Sequence, residues 1–467
     1  MKTVALMTKN YIDIRGSKKM QKLTGKENMA IGLMLFALFF GAGNMIFPPA
    51  LGQAAGSNVW GAILGFLITG VGLPLLGVTA IALAGENLEV LAGRISPKFG
   101  ILFTIVMYLA IGPFFGIPRT GTVAFEIGIK PFLSENLLNN GLSLFIFTIF
   151  FFAVTFYLSL NPSKLVDRIG KIMTPALLVV LGILVFKGIT SPMGEFSAPT
   201  EAYQTTPFFK GFIEGYLTLD AIAALVFGIV VINAIKERGI TNKKAIAAAT
   251  IKSGLIAAAG LAIVYISLGY LGATSLTAVG EQANGGALTT AIAYQLFGIT
   301  GNVLLGLAIL FATLTTSVGL VSAAAGYFSK LLPKVSYPVF VGIFSIFSLS
   351  VANVGLSQLI SITLPVLMVI YPLAITLIAI SFAHKYFNGY SEVYAGGIIG
   401  AFLISVVDGF ATAGFPVQAI TEVYSLLPLY SVGIGWLFPA IIGSVIGFAI
   451  AKLKGKTVEN VNNLNEI

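Results

Sequence analysis

Cysteine is absent from this chain, and histidine occurs once, at His384. Without thiols there are no disulfides, no thiolate nucleophiles and no thiolate metal ligands. One imidazole excludes a multi-histidine metal centre within a single chain. Charge is scarce as well. Asp, Glu, Lys and Arg make up 10% of the 467 residues, against about 25% in an average soluble domain. Between Met29 and Gly85 there is no charged residue at all. A membrane helix needs about 20 apolar residues, so that run has the length for two spans and a turn. What remains is 57% hydrophobic, with a mean hydropathy of +0.95. The composition predicts an all-α polytopic membrane protein surrounded by lipid. No nucleic acid is needed to explain the net charge of +9, because an excess of Lys and Arg on one side of a membrane accounts for it.

Twelve uncharged segments stand between charged loops, near 29–50, 59–84, 101–125, 142–160, 172–189, 215–235, 251–272, 303–328, 337–353, 358–383, 394–414 and 430–451. If the N-terminus is cytoplasmic, alternate loops hold all of the 27 Lys and Arg except Arg119, Lys130, Lys187 and Lys210. That bias predicts twelve transmembrane helices with both ends cytoplasmic, in the plasma membrane. Residues 1–28 and 452–467 then form cytoplasmic tails, and 29–451 form one transmembrane domain. Between Glu281 and Lys330 there is room for two spans, but two would put Lys330, Lys334 and the C-terminal lysines outside. Residues 287–298 are therefore read as a re-entrant or interfacial helix that leads into one span.

The stretch FGAGNMIFPP, residues 40–49, interrupts span one with Gly41, Gly43, Asn44 and a double proline. Backbone freed from helical bonding in lipid must be buried in protein or line a cavity. Broken helices of this kind are where secondary transporters bind their solutes: half-helix N-termini meet an anionic group and free carbonyls meet a cation. The alternative is a small-residue packing face with no break. The adjacent Asn and the two prolines favour the break.

Three stretches, GLMLFALFFGAGNMIFPPALG (32–52), GPFFGIPRTG (112–121) and GYLTLDAIAALVFG (215–228), resemble the signatures of the BrnQ-type branched-chain amino acid carriers. These are the leucine/isoleucine/valine:cation symporter family, and the likeness runs over essentially the whole chain. It implies a LeuT-type fold of the amino acid–polyamine–organocation superfamily: two five-helix repeats (about 29–190 and about 212–385), inverted in the membrane, with broken helices 1 and 6. Two extra helices follow, at about 392–451. It also implies cation symport of leucine, isoleucine and valine, with no cofactor beyond the coupling ion. That ion is Na⁺ or, as the alternative, H⁺.

On that reading the substrate lies between the breaks of spans one and six. Its carboxylate would meet N–H groups of Gly41, Ala42, Gly43 and Asn44. Its ammonium would meet carbonyls together with Thr218 or Asp220, and Phe114, Phe115, Ala223, Ala224 and Phe227 would form an apolar pocket. The family's sodium site, carried onto this sequence, consists of the Thr315 and Thr316 hydroxyls and the carbonyls of Ala37, Phe40 and Ala312. Lys171, at the start of span five, is either an interfacial side chain or a substitute for the sodium ion. Arg119 and Asp220 lie within spans, where an ionisable residue is costly and marks a function by default. They form either a gate that closes as an ion pair or a permanent structural pair. Glu126, Glu214 and Glu422 are expected to face water near span ends. Asp408 falls outside the ten-helix core, in a structural or lumen role, and His384 is an interfacial side chain.

Three other classes compete. A carrier of the same fold for another small solute would differ in transport competition. An intramembrane enzyme would need clustered carboxylates or histidines, which the spans lack. A channel would not concentrate its solute.

Overall fold

A computed structural model of the chain describes residues 23–85, 87–138, 141–161 and 165–455, with the side chains of residues 165–174 outside it. Most of the two tails, and the side chain of Lys171, therefore lie outside the described residues. The regular structure among the described residues is helical. The helices used below are α1 (Gly25–Phe39), α2 (Ala42–Ala55), α3 (Val59–Leu67), α4 (Leu73–Ala84), α5 (Pro97–Leu109), α6 (Gly116–Gly128), α7 (Leu142–Ser159) and α8 (Leu165–Thr190). They continue with α9 (Pro207–Glu214), α10 (Asp220–Lys236), α11 (Lys243–Ala273), α12 (Gly285–Leu331), α13 (Tyr337–Ala352), α14 (Leu356–Ala383), α15 (Ser391–Thr412) and α16 (Leu437–Leu453). Seven helical stretches among the described residues are long and apolar enough to cross a membrane, or eight if a bent pair around Leu219 counts as one. Shorter apolar helices run over Pro175–Thr190, Tyr337–Ala352 and Leu437–Leu453.

The first helix starts on a capping box. Thr24 accepts from the Glu27 N–H, and the Glu27 carboxylate accepts from the Thr24 N–H at 2.8 Å, so two donors that a helix start leaves bare are satisfied. The chain leaves helical geometry at Phe40 and Gly41, so the break is shorter than the Gly41–Asn44 expectation and begins one residue before it. Ala42, Gly43 and Asn44 already belong to the first turn of α2. Nor do the prolines end the helix: Pro48 and Pro49 are buried inside α2, which continues to Ala55. Proline has no N–H to give the carbonyl four residues back. Pro49 thus frees the Met45 carbonyl, and the Thr289 hydroxyl of α12 donates to it at 3.0 Å.

Three further irregularities set the middle of the molecule. Between α3 and α4 a π-turn, Ile68–Gly72, keeps the helix continuous while inserting a residue. Between α5 and α6 a second π-turn, Ala110–Phe114, leaves helical geometry at Gly112 (φ −85°, ψ −121°). Between α9 and α10 the chain passes through a 3₁₀ turn, Gly215–Thr218, and then Leu219 in the left-handed region at φ 66°. The helical segments Pro207–Thr218 and Asp220–Lys236 meet there at 45°. Residues 207–214 thus belong to a helix, not to the loop the charge pattern gave. Lys210 and Glu214 interrupt the apolar run, yet they pair one turn apart at 3.4 Å and leave Phe208, Phe209 and Phe212 to pack.

Small residues hold the helices together, as expected where lipid removes most of the hydrophobic drive between spans. A Cβ on Gly52 would fall 1.9 Å from the Gly269 carbonyl oxygen, so α2 and α11 touch backbone to backbone. Gly400 meets the Pro439 carbonyl in the same way, where α15 crosses α16. In α12, Gly298 adopts φ 60° and breaks the helix, separating an N-terminal piece from the long remainder.

Candidate functional site

Asn44 is the hub of the interior. Its Oδ1 accepts from the Gly41 N–H at 2.8 Å, the donor that an unbroken helix would send to the Ala37 carbonyl. The side chain thereby stabilises the break. Its Nδ2 donates to Asp220 Oδ2 at 2.8 Å and also to the Tyr265 hydroxyl, which itself donates to the same Asp220 oxygen at 2.5 Å. Asn44, Asp220 and Tyr265 are all essentially buried, at 1%, 2% and 0% exposure. One carboxyl therefore joins the break after α1, the bend before α10 and the middle of α11, held by neutral donors.

Tyr265 is reached through the π-turn. Its ring lies edge-on to Phe66 at 5.2 Å, and a Cβ on Gly70 would sit 3.2 Å from it. In the same turn Thr69 donates to the Phe212 carbonyl at 2.8 Å and presses on Gly215. One helix irregularity is thus packed into another. Sequence reading missed Tyr265 and Thr69. A tyrosine in the middle of a span carries a signal, because a buried hydroxyl needs a partner.

Arg119 does not pair with Asp220, and that ion pair is absent among the described residues. The guanidinium Nη1 donates to the Leu217 carbonyl in the turn before Leu219, and the group lies over the Phe47 ring at 5.1 Å. Arg119 is 2% exposed, yet its Nε and Nη2 have no hydrogen-bond partner. Gly43 lies beside it: a Cβ there would be 3.2 Å from Nη1 and 3.4 Å from the Thr218 carbonyl. Thr218 donates to the Gly215 carbonyl at 2.9 Å and accepts from the Asp220 N–H at 3.3 Å. Gly41, Gly43, Asn44, Arg119, Thr218 and Asp220 are therefore gathered around the two breaks. Ala42 opens α2 in the same place, while Ala223, Ala224 and Phe227 are buried on α10. Phe115 is buried too, but Phe114 is 40% exposed and turns to Phe347 of α13 at 5.3 Å, away from the cluster.

The Thr316 methyl lies 3.5 Å from where a Gly41 Cβ would be, so α12 runs beside the break after α1. The Thr315 and Thr316 hydroxyls both donate to the Ala312 carbonyl, at 2.8 and 3.0 Å. These hydroxyls, the Ala312 carbonyl and the carbonyls of Ala37 and Phe40 are hard oxygens of the kind Na⁺ takes. No group of three or more His, Cys, Asp or Glu that suits a metal occurs among the described residues.

Glu126 departs from expectation. It is 7% exposed rather than water-facing, because Lys130 donates to it at 2.7 Å and Asn284 covers it at 3.3 Å. It lines a cavity of about 510 Å³ with Lys130, Gln282, Thr290 and Asn302, and an adjoining one of about 390 Å³ with Asn284 and Ser357. Neither cavity is lined by Asn44, Asp220 or Tyr265. Glu214 is half-buried and Glu422 exposed. Asp408 is half-buried beside the Tyr430 hydroxyl. His384 meets the Tyr394 hydroxyl at 2.9 Å, and Arg94 donates to that same hydroxyl at 2.9 Å.

Residues 24–454 match the family described as "Branched-chain amino acid transport protein". The chain belongs to that family. It is 54% identical to the branched-chain amino acid permease BraB of Bacillus subtilis, over 95% of this chain and 98% of that one. It is 46% identical to the branched-chain amino acid transport system 2 carrier protein of Pseudomonas aeruginosa, over 95% and 100% of the two chains. Its identity to the branched-chain amino acid permease BrnQ of Escherichia coli K12 is 40%, over 94% and 98%. These are transport proteins, so the family is one of transporters rather than enzymes. The fold is shared with solved transporters of low identity. Mhp1, of the nucleobase-cation-symport-1 family, in a closed conformation with bromovinylhydantoin bound, superposes with a TM-score of 0.60 at 17% identity, over 91% of this chain and 93% of that one. MhsT in complex with L-phenylalanine superposes at 0.56 and 15% identity, over 93% and 99%. Both are LeuT-fold transporters. The chain is thus a membrane-embedded member of a transporter family, and its fold is that of the LeuT-type transporters.

Proposed function

We propose that this protein imports leucine, isoleucine and valine across the plasma membrane by Na⁺ symport and alternating access. The observation that carries the reading is membership of the branched-chain amino acid transport family over residues 24–454, together with two helix breaks that meet at a buried Asn44–Asp220 contact. The chain crosses the membrane twelve times with both ends cytoplasmic. Helices α1 with α2, and the segment 207–218 with α10, act as the broken spans one and six of two inverted five-helix repeats. The apolar side chain of the substrate rests on Ala223 and Phe227, where no polar side chain would have to be left unpaired. Its ammonium meets Asp220 and the Thr218 carbonyl, and its carboxylate lies at the first turn of α2, where N–H groups are bare and the helix dipole favours negative charge. Na⁺ takes the hydroxyls of Thr315 and Thr316 with the carbonyls of Ala37, Phe40 and Ala312.

A second reading has one observation in its favour. The buried Asp220 carboxyl is held by the neutral donors of Asn44 and Tyr265 and forms no ion pair among the described residues, and ionisable groups placed so within membranes serve as proton carriers. On this reading H⁺ replaces Na⁺. Uptake of labelled leucine into proteoliposomes separates the two. Accumulation under an inward Na⁺ gradient at constant pH, lost in Thr316→Ala, is the expected result. Accumulation under an H⁺ gradient without Na⁺ would transfer the coupling to Asp220. No concentrative uptake under either gradient would overturn the substrate assignment.

A further inference from the structure

Buried guanidinium groups are normally saturated with acceptors, because leaving such a donor bare in a low-dielectric interior is costly. Arg119 breaks that rule in a specific pattern. Its Nη1 is anchored on the Leu217 carbonyl and its plane is backed by the Phe47 ring. Its Nε and Nη2, which share one edge of the guanidinium, are buried without a hydrogen-bond partner. That edge is the planar two-donor fork that matches a carboxylate in a bidentate pair. It is held at the first turn of α2, with Gly43 leaving room for Nη1.

A second buried ionisable group without an ion pair among the described residues is Asp220, on the far side of the Leu219 bend. Asn44 and Tyr265 hold it, and no cation lies within ion-pair distance of it among the described residues. Two opposite charges in one low-dielectric interior attract strongly. Here each is tied to a different neighbour, and the two do not close on each other. A ligand that carries both an anionic and a cationic end neutralises both at once.

We infer that Arg119 is a substrate-binding residue: its Nε/Nη2 edge receives the α-carboxylate of a zwitterionic amino acid whose ammonium faces Asp220. This rests on the amino acid reading above and adds to it a carboxylate receptor on α6. Gly43 acts as its positioning residue, because a Cβ there would press on Nη1 at 3.2 Å and on the Phe47 ring at 3.2 Å. The fork selects for the carboxylate itself, so an amide or alcohol in its place leaves one donor unmatched and the positive charge uncompensated.

The test is equilibrium binding to the purified full-length protein in detergent, with labelled L-leucine displaced by unlabelled L-leucine or L-leucinamide. Wild-type protein is expected to prefer leucine over leucinamide by at least about tenfold, the size of one charge-assisted contact. Equal displacement by the two overturns the inference without any variant. In Arg119→Gln and Arg119→Lys the preference should collapse towards parity, mainly through weaker leucine binding, with leucinamide binding retained. Parallel loss of both ligands would make Arg119 a structural residue and overturn the inference. If a variant does not fold, Gly43→Ala replaces it and should reduce the leucine preference in the same sense. If the wild type binds neither leucine nor leucinamide, the branched-chain reading itself fails. If leucine binds and the ratio does not move, only the role of Arg119 fails.

Discussion

Asn44 and Asp220 are the kind of residue a sequence exposes: each is a polar group in an apolar run where it needs a reason to be. Tyr265 is different, since tyrosine is common near membrane interfaces and its hydroxyl gains meaning only once α11 is packed beside both breaks. Phe114 erred the other way. The π-turn at Ala110–Phe114 rotates that ring towards Phe347, and a single inserted residue of this kind leaves no periodic trace in the sequence. The triad gives a prediction at this scale. Tyr265→Phe removes a donor to Asp220 and an acceptor for Asn44 without changing shape. It should destabilise the protein by about 1–3 kcal/mol, the cost of leaving buried polar groups unmatched. It should also cut leucine uptake severalfold at unchanged expression. A thermal melt in detergent with a parallel uptake assay checks both. Uptake and melting like wild type would reduce Tyr265 to packing.

Among elements, the long apolar helices follow directly from the uncharged runs, while the places where they stop being regular do not. Gly41 and Asn44 point to a break after α1, but the sequence does not show that the chain resumes at Ala42 with two prolines inside α2, where the Thr289 hydroxyl lies within reach of the released Met45 carbonyl. That partner lies 244 residues away in sequence. Residues 207–214 escaped notice because Lys210 and Glu214 neutralise one another only when folded. Backbone contact between elements makes a sharp prediction. Gly52→Ala places a methyl about where the Gly269 carbonyl oxygen stands, so α2 must move off α11 and the melting temperature should fall by several degrees. Gly319→Ala in α12 meets nothing within 4 Å and should be neutral or stabilising by about 0.5–1 kcal/mol. Equal effects of the two substitutions would mean that the α2–α11 contact is not close.

For the whole molecule, lysine and arginine set an expectation of sidedness, whereas the inverted repeat is expected only from the family resemblance and not from any likeness between the two halves of the sequence. The fold is shared with solved transporters at 15–17% identity, so packing geometry outlasts likeness of sequence. The lack of cysteine turns the orientation into a clean experiment. In intact cells Ser357→Cys should react with a membrane-impermeant maleimide, whereas Lys385→Cys should react only after permeabilisation. The reverse pattern would invert the protein in the membrane, and labelling of both in intact cells would break the alternation of the loops.

Gly298 has a mechanical consequence. Beyond it, α12 runs as one helix to Leu331, about 50 Å at 1.5 Å per residue. Thr315 and Thr316 fall at the centre of that rod. A beam that rocks about its middle carries its ends in opposite directions: a 10° tilt swings each end by about 4 Å and leaves the fulcrum almost still. Side chains at the fulcrum, Thr315 and Thr316 among them, would hold their place through such a swing, while residues near Gly298 and Leu331 would travel furthest.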